Sequence, residues 1–137
     1  MSFRYLLRVR YGECDAQGIV YNARWADFVD IAAGEFTRAL FGSVTAIDLK
    51  LVKLSIEWRA SAVFDDVLDI RVRTSRVGTT SYETITELHR LDGPLLATAT
   101  TTYVAVGRDG AKRAITDHER ATLLAGTDAT VDHAHAK

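Results

Sequence analysis

An acidic loop followed by a long helix is the part of this sequence best suited to carry chemistry. A β-branched and aromatic run ends at Tyr11, and the polar loop after it contains the carboxylate of Asp15 and a glycine, Gly18. The start of a helix exposes unpaired N–H groups and about half a positive charge. A carboxylate at this place can act as a nucleophile or a general base, while the helix start attracts developing negative charge.

The helix that would position this site is predicted over residues 22–41. Asn22 is a favoured N-cap residue, and Gly42 follows the last apolar residues, where helices often end. Apolar residues recur at spacings of three and four and form one broad stripe, which contains Trp25, Phe28, Val29, Ala32, Phe36, Ala39 and Leu40. A stripe of this width must pack against another element of the fold.

Composition excludes several classes of function. The chain has 17 basic and 18 acidic residues and a net charge of -1, so it lacks the basic surface that nucleic acids or anionic membranes attract. The single cysteine, Cys14, excludes an internal disulfide and is compatible with a reducing compartment. The arginine-interrupted N-terminus lacks a signal-peptide core, and no apolar run approaches the roughly 20 residues of a membrane span. We therefore expect a cytoplasmic protein with no nucleic-acid or membrane partner.

The remaining patterns predict one domain over residues 1–125 and a flexible C-terminal tail over 126–137. Thr116 and Glu119 form a capping box for a short helix that ends near Leu124. Alternating or β-rich segments predict five strands, at residues 3–11, 49–60, 67–77, 81–91 and 95–106. Short turns between the last four strands imply an antiparallel sheet, and the helix must bury its stripe against that sheet. The predicted fold class is therefore α+β.

With this order of elements, the sequence resembles the hotdog-fold acyl-CoA thioesterases of the 4-hydroxybenzoyl-CoA thioesterase type. The likeness covers roughly residues 3–115 and is strongest in the segment Asp-x-x-Gly-Ile-Val-Tyr, which runs from Asp15 to Tyr21 and is followed by Asn22. It implies a five-stranded antiparallel sheet wrapped around one long helix. It also implies that two subunits pair edge to edge into a homodimer, which is often doubled into a homotetramer.

The resemblance further implies roles for the loop and the helix start. Asp15 would be the catalytic acid, and backbone amides around Tyr21 and Asn22 would bind the thioester oxygen. The substrate would be an acyl-CoA whose pantetheine arm runs between subunits. No separate cofactor is expected, because coenzyme A is part of the substrate. Many members of the family have histidine where Asn22 stands, which leaves the acyl group and the rate open.

Three residues of the same segment are further candidates for substrate binding. Gln17 could hydrogen-bond the Asp15 carboxylate or face solvent, and these alternatives stay open. Gly18 belongs to the turn of the loop. Trp25 could form the wall of a pocket or part of the core, and both interpretations predict burial.

Charged residues outside the loop supply the remaining candidates. Coenzyme A carries phosphates, which arginine binds well, and we select Arg59 and Arg76 from the arginines on or near the predicted strands. Asp30, on the predicted helix, is the reserve catalytic acid. The four histidines show no ligand spacing, so no metal site is expected.

The predicted reaction is hydrolysis of an aromatic or short- to medium-chain acyl-CoA to the free acid and coenzyme A. Asp15 could attack the thioester and form a mixed anhydride, or it could activate a water molecule. The alternatives are a non-catalytic hotdog module that binds acyl-CoA and a thioesterase that acts on acyl-carrier protein. The combination of Asp15 with Gly18 and the helix start favours an enzyme, because a binding module does not need the acid.

Overall fold

A single sheet and two α-helices make up residues 3–135, the part of the chain that the computed structural model describes. The strands are β1 (Phe3–Arg8), β2 (Leu49–Trp58), β3 (Val67–Val77), β4 (Ser81–Arg90), β5 (Leu95–Ala105) and β6 (Thr130–Asp132), and the helices are α1 (Arg24–Phe41) and α2 (Asp117–Ala125). The strand order in the sheet is β2-β5-β4-β3-β1-β6. Neighbouring strands are antiparallel, except that β6 runs parallel to β1.

Helix α1 packs its apolar stripe on the inner face of the sheet. The buried residues of the stripe are Trp25, Phe28, Val29, Ala32 and Phe36, and their partners on the sheet include Leu68, Ile70, Val72, Leu88, Ala97 and Ala99. Ala39, which the spacing assigned to the stripe, is exposed near the end of the helix. The α+β hotdog architecture predicted from the sequence is confirmed.

Two predicted boundaries near the acidic loop are wrong. The first strand ends at Arg8, because Tyr11–Glu13 form a 3-10 turn that removes them from the sheet. Helix α1 has Ala23 as its N-cap, not Asn22, and no side chain caps the first turn. A tight turn between Tyr21 and Arg24 precedes the helix and shifts its start by one residue.

The C-terminal segment contains a sixth strand, where the sequence predicted five strands and a flexible tail over 126–137. Thr130–Asp132 form β6, and the Tyr5 hydroxyl hydrogen-bonds Nδ1 of His133 at 2.9 Å. The sequence could not reveal this strand, because three residues are too few to show alternation and the partner strand lies at the other end of the chain. Residues 136–137 of the predicted tail lie outside the described residues.

Strand β2 forms one edge of the sheet, beside the start of α1. Leu51, Val52 and Trp58 expose large apolar surfaces on this strand. Edge strands present unpaired N–H and C=O groups that can pair with another chain.

Among residues 3–135, no helix is long and apolar enough to cross a membrane.

Candidate active site

The acidic loop is a tight turn closed by backbone hydrogen bonds. The N–H of Asp15 donates to the carbonyl of Ile19 at 2.9 Å, and the N–H of Gly18 donates to the carbonyl of Asp15 at 2.9 Å. Gly18 has φ +83°, in the left-handed region where a Cβ would introduce strain. The turn explains why a glycine follows Asp15 by three residues, and it presents the Asp15 side chain to solvent.

The carboxylate of Asp15 is held by one oxygen and free at the other. Its Oδ1 accepts the N–H of Gln17 at 2.8 Å, and no hydrogen bond to Oδ2 is formed by any residue between 3 and 135. The Gln17 contact is therefore made by the backbone, and its side chain is exposed. The bond orients the carboxylate and leaves an oxygen that can attack a carbonyl or accept a proton from water.

Glu13 anchors the loop at both ends. Its side chain is 5 % exposed, and its carboxylate accepts the N–H of Arg10 at 2.7 Å and the Arg10 guanidinium at 2.9 Å. Its carbonyl accepts the N–H of Tyr21 at 3.1 Å, which ties the start of the loop to its end. Sequence analysis did not identify this role, because an acid in a loop is usually solvated. The spacing of three residues between Arg10 and Glu13 was the available signal.

The start of α1 leaves two N–H groups without protein partners. The N–H of Arg24 donates to the carbonyl of Tyr21 at 2.9 Å, which closes the turn before the helix. Within the described range 3–135, the N–H groups of Asn22 and Ala23 have no hydrogen-bond acceptor. The predicted amide donors were those around Tyr21 and Asn22. The Tyr21 N–H is engaged by Glu13, whereas the Asn22 N–H is available.

A cleft of about 260 Å³ opens beside this helix start. It is lined by Val20, Asn22, Trp25, Trp58, Arg59, Ala60 and Ser61. Trp25 is buried and Arg59 is exposed, so the cleft combines an apolar wall with a cationic side chain. The other predicted phosphate ligand, Arg76, lies near the far end of β3, where its guanidinium is 3.9 Å from the Glu83 carboxylate. The structure thus brings Asn22, Trp25 and Arg59 together and places Arg76 elsewhere.

A larger cavity of about 400 Å³ lies between the middle of α1 and the inner face of the sheet. Its lining includes Asp30, Ala33, Gly34 and Thr37 of α1, the segment from Val44 to Asp48, and Leu49, Leu51, Tyr82, Thr84 and Tyr103 of the strands. Burial and the nearby Asp30 carboxylate raise the pKa of Tyr103 to about 12, so its hydroxyl is protonated at neutral pH. The reserve acid, Asp30, therefore belongs to this cavity and not to the cleft.

Other reactive groups of the described chain do not assemble into a site. The Cys14 sulfur lies 3.9 Å from the Arg10 carbonyl oxygen, and the side chain packs against the core. Between residues 3 and 135, no group of three or more histidine, cysteine, aspartate or glutamate side chains is arranged to hold a metal ion.

A sheet packed around one long helix, antiparallel except for β6, is the hotdog architecture. Residues 17–97 match the sequence profile of the family described as the thioesterase superfamily. The acyl-CoA thioester hydrolase YbgC of Escherichia coli is 30 % identical over 109 residues, which cover 76 % of this chain and 81 % of that protein. The chain therefore belongs to the thioesterase superfamily, a family of thioester hydrolases.

Solved structures share the fold. A hypothetical protein from Aquifex aeolicus superposes with a TM-score of 0.81 at 23 % identity and covers 88 % of this chain and 98 % of that chain. A 1,4-dihydroxy-2-naphthoyl-CoA thioesterase from Synechocystis superposes with a TM-score of 0.79 at 19 % identity, covering 90 % and 96 %. These similarities support the hotdog architecture over nearly the whole chain.

Proposed function

We propose that this protein hydrolyses acyl-CoA thioesters to the free acid and coenzyme A, with Asp15 as the reacting carboxylate. The observation that carries the proposal is the free Oδ2 of Asp15 in a loop that leads directly to two unpartnered N–H groups, in a chain of the thioesterase superfamily. The E. coli relative named as an acyl-CoA thioester hydrolase supports the substrate class. A single cysteine is compatible with action in the cytoplasm.

The proposed chemistry uses only groups of this chain. The thioester oxygen binds the N–H groups of Asn22 and Ala23, which stabilise the oxyanion as the carbonyl carbon becomes tetrahedral. Asp15 either attacks that carbon and forms a mixed anhydride, which water then hydrolyses, or removes a proton from an attacking water. The thiolate of coenzyme A is a good leaving group, so the proposed reaction needs no separate group to protonate it.

The position of the cleft supports a homodimer as the working form, and the family resemblance implies that such dimers pair further into a homotetramer. Trp58 lies on the exposed edge strand β2 and also lines the cleft. A second subunit paired along β2 would cover the exposed Leu51 and Val52 and add a wall to the cleft. Arg59 lines the same cleft, which supports it over Arg76 as the ligand of a coenzyme A phosphate.

The test is release of free thiol from a panel of acyl-CoAs by the wild type and by Asp15→Asn. We expect kcat to fall by roughly 10²- to 10⁴-fold, the range for loss of a general acid or base. Asp109→Asn is the matched control, because Asp109 Oδ1 accepts the N–H of Ala111 at 3.0 Å in a similar turn remote in sequence from the acidic loop. The control should retain wild-type activity.

Two results would contradict the proposal in different ways. If Asp15→Asn retained wild-type turnover, Asp15 would not be the catalytic acid. Asp30→Asn would then be assayed as the next candidate. Tight binding of acyl-CoA without turnover by the wild type would identify a binding module. A panel that includes acyl-carrier-protein thioesters shows which carrier the protein uses.

A further inference from the structure

Five hydroxyl groups on the inner face of the sheet are buried and find no hydrogen-bond partner among residues 3–135. They belong to Thr74 on β3, to Thr84 and Thr86 on β4 and to Thr101 and Tyr103 on β5, and the last four residues are 1 %, 0 %, 0 % and 7 % exposed. Thr84 lies between Thr74 and Thr101 in the sheet register, and Tyr103 lies opposite Tyr82, so these groups form one contiguous set, here called the hydroxyl cluster. A buried hydroxyl without a partner destabilises the folded state, and native proteins rarely leave such groups unpaired.

The hydroxyl cluster borders the larger cavity. Thr84 and Tyr103 line it from the sheet, while Ala33 and Gly34 line it from α1 with side chains too small to fill the space. Its volume of about 400 Å³ is within the range of small-molecule pockets, roughly 300–1,000 Å³. A ligand group entering between α1 and the sheet would meet hydroxyls that no residue between 3 and 135 satisfies.

The charges around the cavity restrict the kind of ligand group. The charged residues that line it are Asp30 and Asp48, and both are acidic. The Tyr103 hydroxyl can donate a hydrogen bond, and the Asp30 carboxylate can accept one. A hydroxyl on the ligand both accepts and donates, so it complements this pair. A carboxylate would be repelled by the two acids, and a methyl group would leave the hydroxyl cluster unpaired.

One face of α1 runs from Ala23, the residue after the cleft-lining Asn22, to the residues that line the cavity. Ala23, Ala26, Asp30, Ala33 and Thr37 are separated by three or four residues and therefore share that face. The rise of a helix places Ala23 and Asp30 about 10 Å apart along the axis. An acyl group whose carbonyl binds at Ala23 would extend along small side chains and reach the cavity with its distal end.

We propose that the larger cavity binds the distal end of the acyl group, and that the hydroxyl cluster selects acyl groups with a neutral hydroxyl there over those that end in a methyl or a carboxylate. This inference rests on the proposed thioesterase function. Thr84 and Tyr103 are the residues that determine this specificity, and the Asp30 carboxylate accepts a hydrogen bond from the substrate hydroxyl.

The experiment compares octanoyl-CoA, ω-hydroxyoctanoyl-CoA and the octanedioyl half-thioester of CoA. We expect kcat/KM for the hydroxylated substrate to exceed that for octanoyl-CoA by roughly tenfold, the equivalent of one well-formed hydrogen bond, and the chain that ends in a carboxylate to be the poorest substrate. Tyr103→Phe and Thr84→Val should each remove most of the preference for the hydroxyl. The matched control is Thr102→Val, since Thr102 precedes Tyr103 on β5 and alternation places it on the other face.

Two further measurements separate this inference from the proposed function. Thioether analogues of the three chains cannot be hydrolysed, so their Kd values report distal recognition without turnover. Thermal melts should show no loss of stability in Tyr103→Phe or Thr84→Val, because each removes an unpaired group and keeps the side-chain shape.

Equal kcat/KM and Kd values for the octanoyl and hydroxyoctanoyl chains would overturn the inference while thioesterase activity remained. The buried hydroxyls would then be assigned to trapped water. Preferential thioether binding without any hydrolysis would retain the inferred pocket and overturn the proposed function.

Discussion

The two helices of this protein begin in opposite ways. Helix α2 starts with a complete capping box, in which the N–H of Glu119 donates to the Thr116 hydroxyl and the N–H of Thr116 donates to the Glu119 carboxylate. Helix α1 starts at Ala23 without a side-chain cap, and the N–H groups of Asn22 and Ala23 have no partner within residues 3–135. Side chains thus bind two amides at the start of α2, whereas α1 has no side-chain cap and its unpartnered amides lie at the edge of a cleft.

The segments that precede α1 and α2 each contain a good capping residue. The presence of a side-chain cap on α2 and its absence on α1 therefore do not arise from residue type alone. Asn22 could cap a helix as well as Thr116 does, but the turn closed by Tyr21 and Arg24 moves the helix start past it. A helix start that forgoes stabilisation beside a cleft is expected where the amides have a ligand to bind. The comparison therefore separates a helix start stabilised by its own side chains from one whose neighbouring amides are free to bind a ligand.

Replacing Asn22 by proline should produce the largest effect, and it should be on catalysis. Asn22 is the second residue of the turn from Tyr21 to Arg24, a position that favours proline, and its N–H has no partner to lose. Removing this donor should lower kcat by roughly 10²- to 10³-fold, as for other oxyanion donors. Steady-state kinetics of Asn22→Pro and Asn22→Ala test this, because the alanine variant keeps the N–H. Equal losses in both would assign the effect to the side chain.

The capped helix should make stability depend on pH. The hydrogen bonds from Arg113, and those from Thr116, lower the pKa of Glu119 from 4.5 to about 2. A carboxyl whose pKa is lower in the folded state stabilises it above pH 4.5, and this stabilisation is lost as the pH falls from 4.5 towards 2.

The expected loss of unfolding free energy from Glu119 is roughly 2 kcal/mol, after allowance for the partial exposure of the pair. Urea unfolding of the wild type and Glu119→Gln at neutral pH and at pH values below 4.5 measures it. The difference between the two proteins should shrink in acid. A constant difference would show that the carboxylate charge contributes nothing.

Thr116→Ala should lower the unfolding free energy by roughly 1 kcal/mol, because the N–H of Glu119 loses its acceptor. Activity per folded molecule should stay at the wild-type level, since Thr116 does not line the cleft. Chemical denaturation and thiol-release assays on the same sample give both quantities. A fall in kcat at full occupancy of the folded state would show that the two helix starts are coupled.

The contrast between the helices also shows what the sequence could predict. The spacing of Thr116 and Glu119 predicted the capping box correctly, because such a box depends on residues three positions apart. The alternation of strands β2 to β5 predicted the sheet within one or two residues at each end. The unused cap at Asn22 could not be predicted, because it depends on the loop that Glu13 closes across eight residues.

Long-range pairing accounts for the other differences. Strand β6 forms only because β1 offers an edge more than 120 residues earlier in the chain, as the bond between Tyr5 and His133 shows with its separation of 128 residues. The hydroxyl cluster could not be predicted from the sequence either, because the threonines of β4 and β5 suit any pleated surface. Only the register that places Thr84 opposite Thr101 reveals that their hydroxyls meet inside the protein.

The smallest expected effect on stability comes from giving α1 a capping side chain like that of α2. In Ala23→Thr the new hydroxyl occupies the N-cap position, but the N–H groups of Trp25 and Ala26 already donate to the carbonyls of Asn22 and Ala23. The unfolding free energy should therefore change by less than roughly 0.5 kcal/mol. The added side chain stands beside the free amides, so kcat should fall, although less than in Asn22→Pro. Denaturant unfolding and thiol release on one preparation would show both changes. An undiminished kcat would mean that the free amides of α1 take no part in the reaction, and the contrast between the two helix starts would then be a matter of stability alone.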